Sequence, residues 1–172
     1  GDRIEAPGVD VRAYIRKTQR RYDLVLLNLP DATTLVLNRY STREFFELLK
    51  GVLAEDGIVS LRVSGDENYL GGELAYLGAS ALLTLESVFD NVALKPGEES
   101  WLMASDGDRL TQSRAALRER FLSIPSSEKL FPPDGILSLY PPDRIALQMS
   151  KYREVIEAAP EGVLVNTDEH PK

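Results

Sequence analysis

Residues 21–46, RYDLVLLNLPDATTLVLNRYSTREFF, constrain the fold more than any other stretch of the 172-residue chain. Leu24, Val25, Leu26 and Leu27 form an unbroken apolar run after Arg21-Tyr22-Asp23. Four such residues suit a strand buried on both faces, because a strand covered on one face alternates apolar with polar. Asn28, Pro30 and Asp31 then supply turn chemistry. They place polar groups just past the strand's carboxyl end, where open α/β sheets bind their ligands. Ser41-Thr42-Arg43-Glu44 reads as a capping box. The helix it opens should span 42–54, with Phe45, Leu48, Leu49, Val52 and Leu53 on one face and Glu55-Asp56-Gly57 as its stop. A second strand, 57–63, follows. Strand, helix and strand make a right-handed crossover, so the segments ending at Asn28 and Val63 should be parallel neighbours.

The rest of the chain fits around that unit. Asp10 is placed to cap a short helix starting near Val11, whose basic end, Arg16-Lys17 and Arg20-Arg21, suits a helix C-terminus. Ser64-Gly65 lies at the carboxyl end of the second strand. A helix over 69–85 carries Leu70, Leu74, Leu77, Ala81 and Leu85 on one face. Gly71-Gly72 is not a phosphate loop, since no strand immediately precedes it and the spacing is wrong. Residues 87–94 and 100–104 read as a hairpin turned by Pro96-Gly97 at one edge of the sheet, with Trp101 as a packing anchor. A charged helix is expected over 109–121.

Five prolines between 125 and 142 mark a loop-rich connection with one short apolar element at 136–140. Asp143 is placed to cap a last helix over 144–159, ended by Pro160 and Gly162. Residues 163–165 could add an edge strand, and 166–172 read as an exposed tail. This divides the chain into an α/β body, 1–122, and a C-terminal extension, 123–172.

Composition narrows the function classes. The net charge of −7 and a pI of 4.8 set the surface against nucleic-acid phosphate and anionic lipid, while tolerating a cationic amine. No apolar run reaches the length needed to cross a bilayer, so no membrane contact is expected of this chain. The absence of cysteine removes disulfides and thiolate chemistry and fits a reducing, cytoplasmic setting. The one histidine, His170, stands beside Asp168 and Glu169 in the tail, where three neighbours in a row give no fixed metal geometry. With no histidine in the body, a Ser-His-Asp triad is not expected either.

The order Tyr22-Asp23, four apolar residues, Asn28, two more, Asp31 and a loop into Thr42-Arg43-Glu44-Phe45-Phe46 resembles the polyamine aminopropyltransferases (spermidine synthases). There the segment reads YD, apolar run, D-x-x-D-P, loop, FY. The likeness continues through LAEDG at 53–57, Ser64-Gly65, VFDN at 88–91, Pro96-Gly97 and Ala104-Ser105. Asn166-Thr167-Asp168 resembles the NTDDRP ending of the membrane-fused branch of that family. The resemblance implies a partial Rossmann-like, methyltransferase-type sheet with helices on both faces. Residues 1–122 would then be the C-terminal half of such a domain, and the sheet's first half would lie upstream of Gly1.

Aminopropyl transfer needs an acceptor for the amine proton, carboxylates to hold the amine, and a sulfonium carbon held in line. The resemblance places Asn28 where the family has its first Asp and Asp31 where it has its second, with Ala32 replacing the proline. An amide neither takes a proton at neutral pH nor attracts an ammonium by charge. By the same likeness Asp10 would meet the adenine amino group of a nucleotide, although capping alone accounts for it. Tyr40, Ser64, Glu73 and Tyr76 are candidate substrate contacts. The plainer alternatives are turn formation for Asn28 and Asp31, a solvated helix face for Glu73 and Tyr76, and packing beside Phe45 for Tyr40.

The expectation is a spermidine synthase-like domain fragment without aminopropyltransferase activity by itself. Decarboxylated S-adenosylmethionine or a related nucleotide would be bound only in a complete domain. The alternatives are an active transferase in a longer polypeptide and a small-molecule methyltransferase-like domain. Without a first half, the Leu24–Leu27 strand is left as an apolar edge with open backbone groups. Either a homodimer or the C-terminal helix should cover it.

Overall fold

The computed structural model describes residues 8–31, 34–65, 70–160 and 162–171. Its centre is a four-stranded sheet of β1 (Tyr22–Leu27), β2 (Leu53–Ser64), β3 (Asn91–Lys95) and β4 (Glu99–Ser105), in the order β1-β2-β4-β3. β1 and β2 are parallel, in register from Leu24↔Ile58 to Leu27↔Leu61, as the crossover pattern required. β4 is antiparallel to both β2 and β3. It is therefore a single reversed strand slotted between parallel neighbours, and β3 forms the far edge. The expected hairpin is present, with its strands at 91–95 and 99–105.

Along β2, Val59, Leu61 and Val63 point to one face and are buried there with Leu27, Leu94, Leu102 and Ala104. Four helices cover that face: α1 (Val11–Lys17), α3 (Arg43–Lys50), α4 (Gly72–Glu86) and α7 (Pro142–Ala158), which supply Ile15, Phe45, Phe46, Leu49, Leu82, Leu85 and Tyr152 to the same core. A one-turn α2 (Leu35–Asn38) precedes α3. On the opposite face, α5 (Arg114–Leu122) and α6 (Gly135–Leu139) lead to Tyr140, whose hydroxyl meets Met103 Sδ at 3.9 Å. That cover does not extend to β1: Leu24 and Leu26 remain 57% exposed. The C-terminal helix, expected as one possible cover for this edge, packs on α4 instead.

Several boundaries differ from the sequence reading, each for a local reason. α3 ends at Lys50, because Gly51 N–H closes on Glu47 O, Val52 N–H closes on Leu49 O, and Tyr22 N–H pairs with Val52 O at 2.9 Å. Leu53 and Ala54 thus open β2 and do not finish a helix. Glu55-Asp56-Gly57 forms a bulge within the β1–β2 ladder, where the register shifts between Tyr22 and Leu24. Asp56 adopts φ 59° there, and a side chain on Gly57 would sit 2.8 Å from Tyr22 O. The bulge residues carry the same turn chemistry as a helix stop, which is why they read as one.

Thr42, not Ser41, caps α3: its hydroxyl accepts Phe45 N–H at 3.3 Å. Asp143 lies in the first turn of α7, where its charge suits the helix dipole, and Pro141 precedes that helix as N-cap without a side-chain bond. The charged helix α5 begins at Arg114, capped by Ser113. Residues 87–90 complete the end of α4 and the turn after it, not a strand.

The face of α4 also differs. Leu74, Leu77 and Ala81 are only half-buried, whereas Ala75, Gly78, Ala79, Leu82 and Leu85 are buried. α4 is pressed between sheet and α7, so its small residues carry the tighter contact. A Cβ on Gly78 would lie 2.2 Å from the Tyr152 ring. The Tyr152 hydroxyl accepts from Gln148 Nε2 at 2.7 Å, and that amide also meets Ser100 Oγ. Burial holds the Tyr152 phenol above its ordinary pKa.

Candidate functional site

The carboxyl ends of β1 and β2 carry the polar loop predicted to face a ligand. Asp31 turns back to accept Ser64 N–H on Oδ1 at 3.0 Å. Arg62 adds a second stitch, donating Nε–H to Leu29 O at 3.2 Å while its Nη1 meets Glu99 at 2.7 Å. Pro30, Asp31, Ser41, Ser64, Leu74, Leu77 and Asn166 are among the residues lining a cleft behind this loop. Its volume is about 40 Å³, room for water and not for a nucleoside. Asn28 is exposed just outside.

Asp10 does cap α1, its Oδ1 accepting Ala13 N–H at 3.1 Å. Its Oδ2 lies 3.3 Å from Arg39 Nη2 and 3.5 Å from the Tyr40 hydroxyl. Tyr40 also stands edge-on to Phe45, ring centroids 5.4 Å apart. The structure therefore brings Asp31 with Ser64, and Asp10 with Tyr40, the latter pair joined to the cleft through neighbouring Ser41. It does not bring Glu73 and Tyr76 to the cleft. Leu74 and Leu77 line it from the same helix, and a 100° step per residue points Glu73 and Tyr76 elsewhere.

The largest departure lies at 163–167, expected to form an edge strand and the start of an exposed tail; residues 168–171 are exposed as expected. Residues 163–165 form no strand: Leu164 is buried, and its carbonyl accepts from Ser80 Oγ at 2.7 Å. Asn166 is 3% exposed. Its N–H donates to Thr84 Oγ1 at 2.9 Å, its amide to Asn38 Oδ1 at 2.7 Å and Ser41 O at 3.0 Å, and its carbonyl accepts Arg43 N–H at 2.8 Å.

Two residues on, Asp168 takes a two-pronged bond from Arg12, Nη1 to Oδ2 and Nη2 to Oδ1, both at 2.7 Å. Thr42 Oγ1 donates to the same Oδ1 at 2.7 Å and accepts from Arg12 Nη2. Glu44, read as the reciprocal arm of a capping box, instead accepts Asp168 N–H at 2.9 Å. The Arg12 guanidinium, buried against the Phe45 ring, holds the Asp168 carboxyl below its ordinary pKa. The same hydrogen bond raises that of Arg12. The sequence carried one hint of this strap, the Asn-Thr-Asp triplet at 166–168, and none that Arg12 was its partner.

Asn28 cannot accept a proton, Asp31 has one oxygen committed to the backbone, and Asp168 is spent on Arg12. Both oxygens of Asp10 have protein partners, Ala13 N–H on one and Arg39 and Tyr40 on the other. No three metal-ligating side chains gather among the described residues. No helix among them is long and apolar enough to cross a membrane.

No protein-family profile matches the chain. It is similar to the polyamine aminopropyltransferase of Oceanobacillus iheyensis, 27% identical over 63 residues, which are 37% of this chain and 12% of that protein. A probable spermidine synthase from Corynebacterium glutamicum aligns over 67% of this chain and 43% of its own, with 20% identity and a TM-score of 0.48. Human methyltransferase-like protein 13, solved in complex with SAH, aligns over 64% of this chain and 53% of its own, with 18% identity and a TM-score of 0.50. The chain thus spans an eighth of its curated relative and about half of each structural neighbour. What it shares with the last of these is the fold alone, a mixed α/β sheet with its helices.

Proposed function

We propose that this chain is the trailing part of a spermidine synthase-like α/β domain of the membrane-fused branch, standing on the cytoplasmic side, with its nucleotide-gripping half outside these 172 residues. By itself it transfers no aminopropyl group. What supports the reading is that Asn28, which the resemblance aligns with the family's first Asp, carries an amide, beside a cleft of about 40 Å³ whose lining residue Asp31 already accepts Ser64 N–H. In-line displacement requires a base beside an amine and a sulfonium carbon, and an amide at position 28 does not serve as that base. In a complete domain the ligands would be decarboxylated S-adenosylmethionine, or a related nucleotide, and a polyamine drawn by Asp31.

Calorimetry with methylthioadenosine, putrescine and spermidine tests this on the 172-residue chain and on the longest polypeptide that contains it. The chain alone should give no heat with the nucleotide. Turnover of putrescine by the 172-residue chain itself would overturn this reading, and turnover by the longer form with Asn28 intact would select the active transferase and refute the argument from Asn28. The fold likeness to methyltransferase-like protein 13 favours a second reading, a small-molecule methyltransferase-like domain. Nucleotide binding by the longer form that polyamines leave unchanged would select it.

A further inference from the structure

The strap is held by the body as an extended peptide is held by a receptor. Alternate residues turn inward: Leu164 and Asn166 are buried and Asp168 reaches Arg12, whereas Val163 is 40% exposed. The segment joins no sheet, yet its backbone is bonded at each inward position. Ser80 Oγ donates to Leu164 O, Asn166 N–H to Thr84 Oγ1, Arg43 N–H to Asn166 O, and Asp168 N–H to Glu44. Main-chain bonds of this kind give a bound peptide its affinity, and pockets for alternate side chains give its selectivity. The receiving groups come from α1 to α4. Arg12, Asn38, Thr42, Ser80 and Thr84 are all buried, and every one of them bonds the strap. Buried polar side chains need partners, and these five find one in the same short segment.

We infer that the four helices form a site for an extended peptide of the form Leu-x-Asn-x-Asp, filled by the chain's own residues 164–168 and open to the same sequence supplied by a separate molecule. Each position makes a different demand. The first takes an aliphatic side chain. The second needs a carboxamide, because one group must donate to both Asn38 Oδ1 and Ser41 O, and a carboxylate has no proton to give. The third needs a carboxylate, because Arg12 presents a two-pronged donor. This inference rests on those contacts and not on the family reading.

A protease recognition sequence inserted after Pro160, which is exposed, lets the folded 172-residue chain be cut ahead of the strap. The freed strap should co-elute with the body in gel filtration. Excess fluorescein-labelled peptide of residues 162–172 should then replace it, read as a rise in anisotropy. The uncut chain should take up far less, since its tethered segment competes at high effective concentration. Unlabelled peptides carrying Asp168→Ala or Asn166→Ala should compete at least about tenfold less well than the parent peptide. Val163→Ala should compete within about twofold. A strap that leaves without the labelled peptide taking its place, one that stays and never exchanges, a body that loses its circular dichroism on release, or equal competition by all the peptides would overturn the inference.

Discussion

Strand β1 and the C-terminal strap invert what their compositions suggest. The strand is the most continuously apolar segment of the body, yet two of its leucines stand more than half exposed. The strap is polar and close to the chain end, yet Asn166 is almost fully enclosed and Asp168 is held by four hydrogen bonds. Burial follows the supply of partners. Arg12, Asn38, Thr42 and Thr84 present donors and acceptors that together fit one short polar segment. Nothing among the described residues presents an edge that fits β1.

The contrast can be broken most directly at Asp168. Asp168→Ala leaves the Arg12 guanidinium, 9% exposed at its side chain, without its counter-charge. Removing one partner of a buried pair costs about 3 kcal/mol at the lower end, the appropriate end because the carboxylate is partly solvated. Urea denaturation should show that loss as a lower midpoint with an unchanged slope. Arg12→Leu/Asp168→Leu together should recover part of it, and failure to do so would argue against a pairwise interaction.

Asn166→Ala should cost about 1–2 kcal/mol, since it leaves Asn38 Oδ1 and Ser41 O without the donor they share. Hydrogen exchange should accelerate in α2 and at the start of α3 and stay unchanged in β3 and β4. Uniform acceleration would show that the strap is not a local clamp.

Acid should act through the same residue. The folded Asp168 carboxyl titrates below its ordinary value of 3.8 because Arg12 stabilises the anion. Its contribution is therefore complete above the ordinary carboxylate range and is lost as pH falls through and below it, where the unfolded chain binds the proton first. Asp168→Asn should flatten that acid limb. An equally steep limb in the variant would assign the dependence to other carboxylates.

The smallest effect belongs to β1. Leu26→Ser should change the stability of the monomer by no more than about 0.5 kcal/mol, because little of the side chain leaves water on folding. A loss of several kcal/mol, read from concentration-independent unfolding, would mean that the strand is covered in solution by part of the chain itself.

The parallel β1–β2 unit was legible in the sequence because its signals are local: an apolar quartet, turn residues, a cap and a second apolar run. The N-cap at Asp10, the hairpin and the short element near residue 136 were legible for the same reason. Residues 55–57 misled, since a bulge and a helix stop use the same turn-forming side chains. The α4 stripe misled because period alone finds one buried face, and this helix is enclosed on two. The strap could not be read at all. Arg12 and Asp168 lie 156 positions apart, and no composition or period connects them. At the candidate site, Asp31 and Ser64 were placed together correctly from strand ends. That they bond to each other at the cleft's lining needed coordinates.

The grip of Arg12 on Asp168 also staples the two outer portions of the sequence to each other without a covalent link. Positions 12 and 168 are tied within the reach of a single side chain. A protease cut in the proline-rich connection, at Leu130 for instance, which is already in solvent, would therefore leave the strap fastened to the first helix.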